Sequence, residues 1–173
     1  MIKKLYPTKY IQSIYEIDIQ QLKENGIRGI IFDIDNTLVP YDEVEPNTAV
    51  VDFFEILRKN GFIITLVSNN TEDRVVKFNE KLKVFALHKS HKPLTRNFIK
   101  ALRIMKCEKH EAIIVGDQIF TDVYGGNKAG IQTVLVKPVS DKDEWKTKIK
   151  RGIERKIISK YEKSLKKNQY KSE

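Results

Sequence analysis

The sequence predicts an α/β fold, a parallel sheet doubly wound by helices, in one small domain. Three observations carry that expectation. Apolar residues gather in four short runs, at 30–32, 62–67, 112–115 and 133–136, which have the length and β-branched content of strands buried on both faces. Segments with helical spacing separate these runs. The length, 173 residues, suits one domain with its own core.

The elements follow in order. Residues 1–9 form a basic lead-in broken at Pro7. Residues 18–25 make a short helix stopped by Gly26, whose missing Cβ permits a left-handed turn. Residues 27–32 are the first strand and 36–46 a loop. Asn47 caps a helix with an inner face of Val50, Val51, Phe53, Phe54 and Leu57, ended by Asn60-Gly61. Strand 62–67, helix 72–82 and a short strand at 84–87 come next. A helix then begins near Pro93, which has no amide hydrogen to lose in a first turn, and buries Leu94, Phe98, Leu102 and Met105. Strand 112–115, a helix over 120–129 closed by Gly130, and strand 131–136 complete the body. Ligands of such sheets sit beyond the carboxyl ends of the strands, so the residues just after each run hold the interest.

Composition narrows the function classes. Cys107 is the only cysteine, which excludes an intramolecular disulfide, and beside a helix end it reads as an inert thiol. No run approaches the roughly 20 apolar residues of a membrane span. The first ten residues lack the apolar core of a signal peptide, so a cytoplasmic location is expected. The net charge of +9 is unevenly placed: residues 142–173 carry 12 lysines and arginines against 5 acids, whereas 1–141 are nearly balanced at 20 against 18. The chain therefore divides into a body at 1–141 and a basic tail at 142–173. In the tail Trp145, Ile149, Ile153, Ile157, Tyr161 and Leu165 recur every fourth residue among the basic ones. That is an amphipathic helix with two readings. Its stripe packs on the body or a second subunit, or it lies peripherally on an anionic membrane. A ribosome or RNA surface ranks below these, since no nucleic-acid recognition motif is present.

Four polar clusters stand at the strand exits. Asp33-Ile34-Asp35-Asn36-Thr37 follows the first strand; two close acids repel, so they suit a cation or proton transfer better than a bare turn. Ser68-Asn69-Asn70-Thr71 follows the second strand, where a hydroxyl and helix-opening amides make an anion site or merely a cap. Lys92-Pro93 precedes the next helix. Its lysine would neutralise phosphate or simply face solvent, with Lys89 the rival. His88 and His91 nearby lack the further partners of a zinc site. Gly116-Asp117 follows the fourth strand, with Asp122 five residues on; Gly116 permits close backbone approach, and Asp122 alone would pass for a helix cap.

Taken in this order, the D-x-D-x-T acid pair, the strand-end serine, the Lys-Pro and the G-D-x-x-x-x-D resemble the haloacid dehalogenase-like (HAD) superfamily over about residues 27–136. The spacing and the Asp35-Asn36-Thr37 form look like subfamily IIIA and, more narrowly, the YqeG-type phosphatases. The resemblance implies a phosphatase in which Asp33 is the nucleophile and Asp35 the general acid and base. Thr37, Ser68 and Asn69 would bind or orient the phosphate, and Lys92 would offset its charge. Mg2+ would be held by Asp33, the Asp35 backbone carbonyl and Asp117, with Asp122 behind them. Larger relatives insert a cap domain, but here residues 39–67 and 69–91 leave no room for one. An open, capless site suits a large or membrane-embedded phosphomonoester, and the YqeG-type proteins are similar to the mitochondrial phosphatidylglycerophosphate phosphatases. Phosphoprotein or nucleotide substrates, or a ribosome-associated binding module without catalysis, are the alternatives.

Overall fold

The computed structural model describes residues 2–140 and 145–169. Along the chain run β1 (Lys9–Ile11), α1 (Ile19–Glu24), β2 (Gly29–Phe32), α2 (Thr48–Lys59), β3 (Ile63–Val67) and α3 (Glu72–Leu82). There follow β4 (Phe85–Leu87), α4 (Arg96–Met105), β5 (Ala112–Gly116), α5 (Tyr124–Ala129), β6 (Gln132–Val136) and α6 (Trp145–Gln169). The strands form one sheet in the order β1-β6-β5-β2-β3-β4, and every pairing is parallel. The α/β, doubly wound expectation therefore holds.

The pleat explains the apolar runs. Ile30 and Phe32 of β2 pack with Phe54 and Leu57 of α2 and Phe78 of α3 on one face. Ile31, between them, packs with Phe98 and Leu102 of α4 on the other. Alternate side chains serve opposite faces, so a central strand must be apolar throughout. Side-chain caps open α2 and α1: Asn47, as the sequence suggests, accepts from the Val50 N–H at 3.0 Å, and Asp18 accepts from the Gln21 N–H at 2.9 Å. Nothing is inserted between β2 and β3 beyond a loop and α2, nor between β3 and β4 beyond α3. The site end of the sheet is therefore capless.

Four expectations need correction. A strand, β1, begins at Lys9, the last residue of the lead-in, and pairs with β6 at the sheet edge. Residues 93–95 form a turn and α4 begins only at Arg96; Leu94 is thus out of phase with Phe98 and Leu102 and lies 58% exposed. The helix expected over 120–129 opens as a π-helical turn, Ile119–Val123, before α5. In the tail, Ile157 packs against Ile119, Val123 and Leu135, and Tyr161 is buried, but Ile153 and Leu165 are exposed. The side chains of Trp145 and Ile149, and the expected boundary at 141–142, lie outside the described residues. Among the described residues, no helix is long and apolar enough to cross a membrane.

Candidate active site

Beyond β2 the chain stays tied to the sheet for one residue more, the Asp33 N–H donating to the Val115 carbonyl at 2.9 Å. Asn36 then adopts φ 59, and the loop turns back so that Asp35 bridges to Val39. This places Asp33 in a buried position at the strand end. Beyond β4, three bonds lace the next loop onto the turn after β3. The Lys89 N–H reaches the Asn70 carbonyl (2.9 Å), the Ser90 N–H the Ser68 carbonyl (3.0 Å), and the Lys92 N–H the Asn69 Oδ1 (2.7 Å). Lys92 is thereby turned inward, its Nζ lying 2.7 Å from Asp33 Oδ1 and 2.7 Å from Asp122 Oδ1. Lys89 stays exposed. Of the two rival lysines, Lys92 meets the acids.

The third wall comes from β5. A Cβ on Gly116 would stand 2.3 Å from Asp122 Cγ, so glycine is what lets that carboxylate pass the strand end. Asp122 Oδ2 accepts the Gln118 N–H and the Thr121 hydroxyl, both at 3.2 Å. Asp122 is thus both a cap and the counter-ion of Lys92. The buried Thr37 hydroxyl donates to Asp117 Oδ1 at 3.1 Å, joining the β2 and β5 loops.

Asp33, Asp117 and Asp122 offer carboxylate oxygens within 4.8 Å of one another, all three buried. Lys92 is the buried ammonium set against them. Burial pushes the Asp33 carboxyl well above the usual carboxylate range; Lys92 pulls it down, while Asp122, Asp117 and Asp35 push it further up. Burial works against the Lys92 charge, but Asp122 and Asp33 outweigh it and raise its pKa. A surplus of buried negative charge on hard oxygen donors fits a small divalent cation such as magnesium. No histidine or cysteine joins the cluster among the described residues.

At the mouth, Asp35 is partly open to solvent, its oxygens held by Arg74 at 3.1 Å and by the Asn70 side-chain amide at 3.3 Å. Ser68 is fully buried behind it, its Oγ accepting the Asn70 N–H at 3.1 Å. Arg74 was not legible in the sequence. It is one basic residue among 32, and only the packing of α3 brings it to an acid 39 positions away. The other residues expected at the site (Asp33, Asp35, Thr37, Ser68, Asn69, Lys92, Asp117 and Asp122) all stand around this one strand-end crevice.

Comparison with known proteins agrees with this arrangement. The pattern of the "Haloacid dehalogenase-like hydrolase" family matches residues 2–136. The chain is 39% identical over 160 residues to a "Probable phosphatase YqeG" of Bacillus subtilis, covering 92% of this chain and 93% of that one. It is 27% identical over 148 residues to "Phosphatidylglycerophosphate phosphatase 1, chloroplastic/mitochondrial" of Arabidopsis thaliana, covering 80% of this chain but 42% of that longer protein. The fold matches the crystal structure of a HAD phosphatase from Thermococcus onnurineus with a TM-score of 0.56 at 16% identity, over 69% of this chain and 90% of that one. With a match across most of its length and the acids gathered where that fold puts its ligands, the chain belongs to the haloacid dehalogenase-like hydrolases and is a phosphatase of that family.

Proposed function

We propose that this phosphatase depends on magnesium and passes the phosphoryl group through Asp33, and that its substrate is the phosphomonoester headgroup of an anionic phospholipid, phosphatidylglycerophosphate. The observation that carries the chemistry is the buried Asp33–Lys92 pair at 2.7 Å with a second carboxylate, Asp35, at its mouth. A side-chain oxygen of Asp33 attacks phosphorus, the P–O bond to the alcohol breaks, and Asp35 gives its proton to the leaving oxygen. Water then attacks the aspartyl phosphate and Asp35 takes the water proton. The P–O bond to Asp33 breaks, freeing phosphate and restoring both acids. Lys92 offsets the charge of the phosphoryl oxygens and the Ser68 hydroxyl donates to one of them. Asn69 keeps Lys92 turned inward, and Thr37 holds Asp117.

Magnesium would be held by the Asp33 and Asp117 carboxylates and the Asp35 main-chain carbonyl, since Asp122 is already engaged by Lys92, Gln118 and Thr121. Bound there, the cation supplies the neutralisation that lets an anionic carboxylate meet an anionic phosphate. Support for the lipid substrate comes from the name of the Arabidopsis relative, the capless strand ends, and the exposed side of α6. That side carries Arg155, Lys156, Lys160 and Lys163 together with the apolar Ile153.

The test of the covalent route is to quench the enzyme in acid during turnover of a small aryl phosphate and map the phosphoryl group by mass spectrometry. It is expected on Asp33. Asp33→Asn should still fold, with Asp122 left as the partner of Lys92, and release no phosphate above background; clear turnover by that variant would reject the route.

A further inference from the structure

The C-terminal helix hydrogen-bonds the loop of Asp117 and Asp122 through Glu154. Glu154 of α6 is 3% exposed, and its Oε1 accepts the N–H of Ile119 at 2.8 Å and of Phe120 at 3.3 Å. These amides open the π-helical turn Ile119–Val123. The first amides of a helical turn have no carbonyl of their own to meet, and their dipoles favour a negative group at that end. The same turn follows Asp117 by two residues and contains Asp122. Whatever fixes Ile119 and Phe120 therefore fixes the stretch of chain that separates the two carboxylates.

The packing around this contact has a regular basis. The docked face of α6 is Glu154, Ile157, Ile158 and Tyr161, spaced i, i+3, i+4, i+7 as one side of a helix requires. Ile157 and Ile158 lie against Ile119, Val123 and Leu135, and the Tyr161 hydroxyl donates to the Thr8 carbonyl at 3.4 Å. A face serving stability alone would do better with an apolar residue at its centre, because a buried carboxylate costs free energy unless it is hydrogen-bonded. An acid in the buried face of so basic a helix is explained by the amides it accepts.

We propose that Glu154 is a positioning residue for the metal-binding loop, so that the C-terminal helix is a working part of the active site and not an appendage. The inference rests on the reading of Asp33 and Asp117 as magnesium ligands. Its test uses the full chain, with Glu154→Met, Glu154→Ala, Glu154→Gln and Tyr161→Ala. Magnesium is titrated by thermal shift, and amide hydrogen exchange over residues 119–123 is followed in chelator. Partners that orient metal ligands cost on the order of 10-fold in metal affinity when removed. Glu154→Met, which keeps the packing volume without the acceptor, should raise the half-saturating magnesium concentration by about that factor and speed exchange at Ile119 and Phe120. Glu154→Ala should do the same at a lower Tm. Glu154→Gln keeps an acceptor oxygen and should stay near the parent. Tyr161→Ala, which removes packing against Tyr6 and Thr8 away from the turn, should lower Tm with the magnesium midpoint unmoved. A Glu154→Met protein with the parent's midpoint and exchange overturns the proposal, as does a Tyr161→Ala midpoint shifted equally far. A parent protein that magnesium fails to stabilise would instead sink the metal reading, and the exchange data in chelator would then decide whether Glu154 holds the turn.

Discussion

Arg74 grips Asp35 from one side and the loop after β2 from the other. Its guanidinium lies 3.1 Å from Asp35 Oδ1, donates to the Val44 carbonyl at 2.7 Å, and also bonds the Glu43 carbonyl. A planar fork of donors suits such a three-point contact better than a lysine would. Asp35 must reach the leaving oxygen of the substrate, and small errors in placement are costly in rate. Arg74→Ala is expected to lower kcat by roughly 10- to 100-fold, a part of the 10²–10⁴ that a positioned acid–base contributes. The magnesium requirement should change little, because the Asp33 and Asp117 carboxylates are untouched and the bridge to Val39 still holds the Asp35 main chain. Arg74→Lys should recover little. Steady-state kinetics with a small aryl phosphate at several magnesium concentrations checks this; a full parental kcat in Arg74→Ala would remove Arg74 from the mechanism.

Lys92 also bears on stability. It is buried against Asp33 and Asp122 at 2.7 Å each, and both carboxylates are buried as well. Lys92→Met fills similar space but leaves two buried acids without their cation. Removing one partner of such a pair typically costs about 3–5 kcal/mol, so urea denaturation in chelator should show a loss of that order. The loss has a definite pH sign. Burial raises the Asp33 carboxyl and Lys92 pulls it down, so without Lys92 it stands further above its unfolded value. The penalty is full at higher pH and is relieved as pH falls and Asp33 takes up its proton. Magnesium should restore part of the stability at neutral pH. A loss that grew on acidification would contradict the pairing.

How far the sequence reveals this molecule depends on the range of the forces involved. β2, β3, β5 and β6 announce themselves because central parallel strands must be apolar on both faces, and Ile30-Ile31-Phe32 satisfies that locally. β1 does not, for Lys9-Tyr10-Ile11 is an edge strand with only Ile11 buried, and its pairing partner lies more than 120 residues away. Asp33, Asp35 and Asp117 were legible because each follows a strand whose end the apolar runs had already placed. Lys92, beyond the short strand β4, stood out only through its Lys-Pro pair and had Lys89 as a rival. Arg74 and Glu154 were not, since each acts through a contact made only by tertiary packing. The tail shows how a wrong period misleads. Steps of four residues drift about 40° each around a helix of 3.6 residues per turn. The series therefore crosses the docked face obliquely: Ile153 lies off its edge, Ile157 and Tyr161 lie on it, and Leu165, in line with it, is exposed. The face itself passes through an acid that the apolar pattern skips.

The substrate is tested most directly through the exposed side of α6, because truncating the tail would also remove Glu154 and Tyr161. Lys156, Lys160 and Lys163 are exposed and clear of the docked face. Each basic residue near an anionic bilayer contributes roughly 1 kcal/mol, so changing all three to glutamine should weaken binding to phosphatidylglycerol vesicles by about 100-fold. The catalytic acids are untouched, so hydrolysis of glycerol 3-phosphate or a small aryl phosphate should continue at the parent's rate. Phosphatidylglycerophosphate in the same vesicles should be the better substrate for the parent enzyme and should lose most of that advantage in the triple variant. The physical reason is that an open site gains little from enclosing a small ester, whereas a helix held at the bilayer raises the local concentration of headgroups. Parent and variant are compared on lipid, glycerol 3-phosphate and a nucleoside monophosphate at one magnesium concentration. If the parent prefers a soluble ester and releases nothing from the lipid, the lipid assignment fails and the phosphatase chemistry stands. If it prefers the lipid and the triple variant does too, the headgroup is recognised at the strand ends, without help from the basic helix.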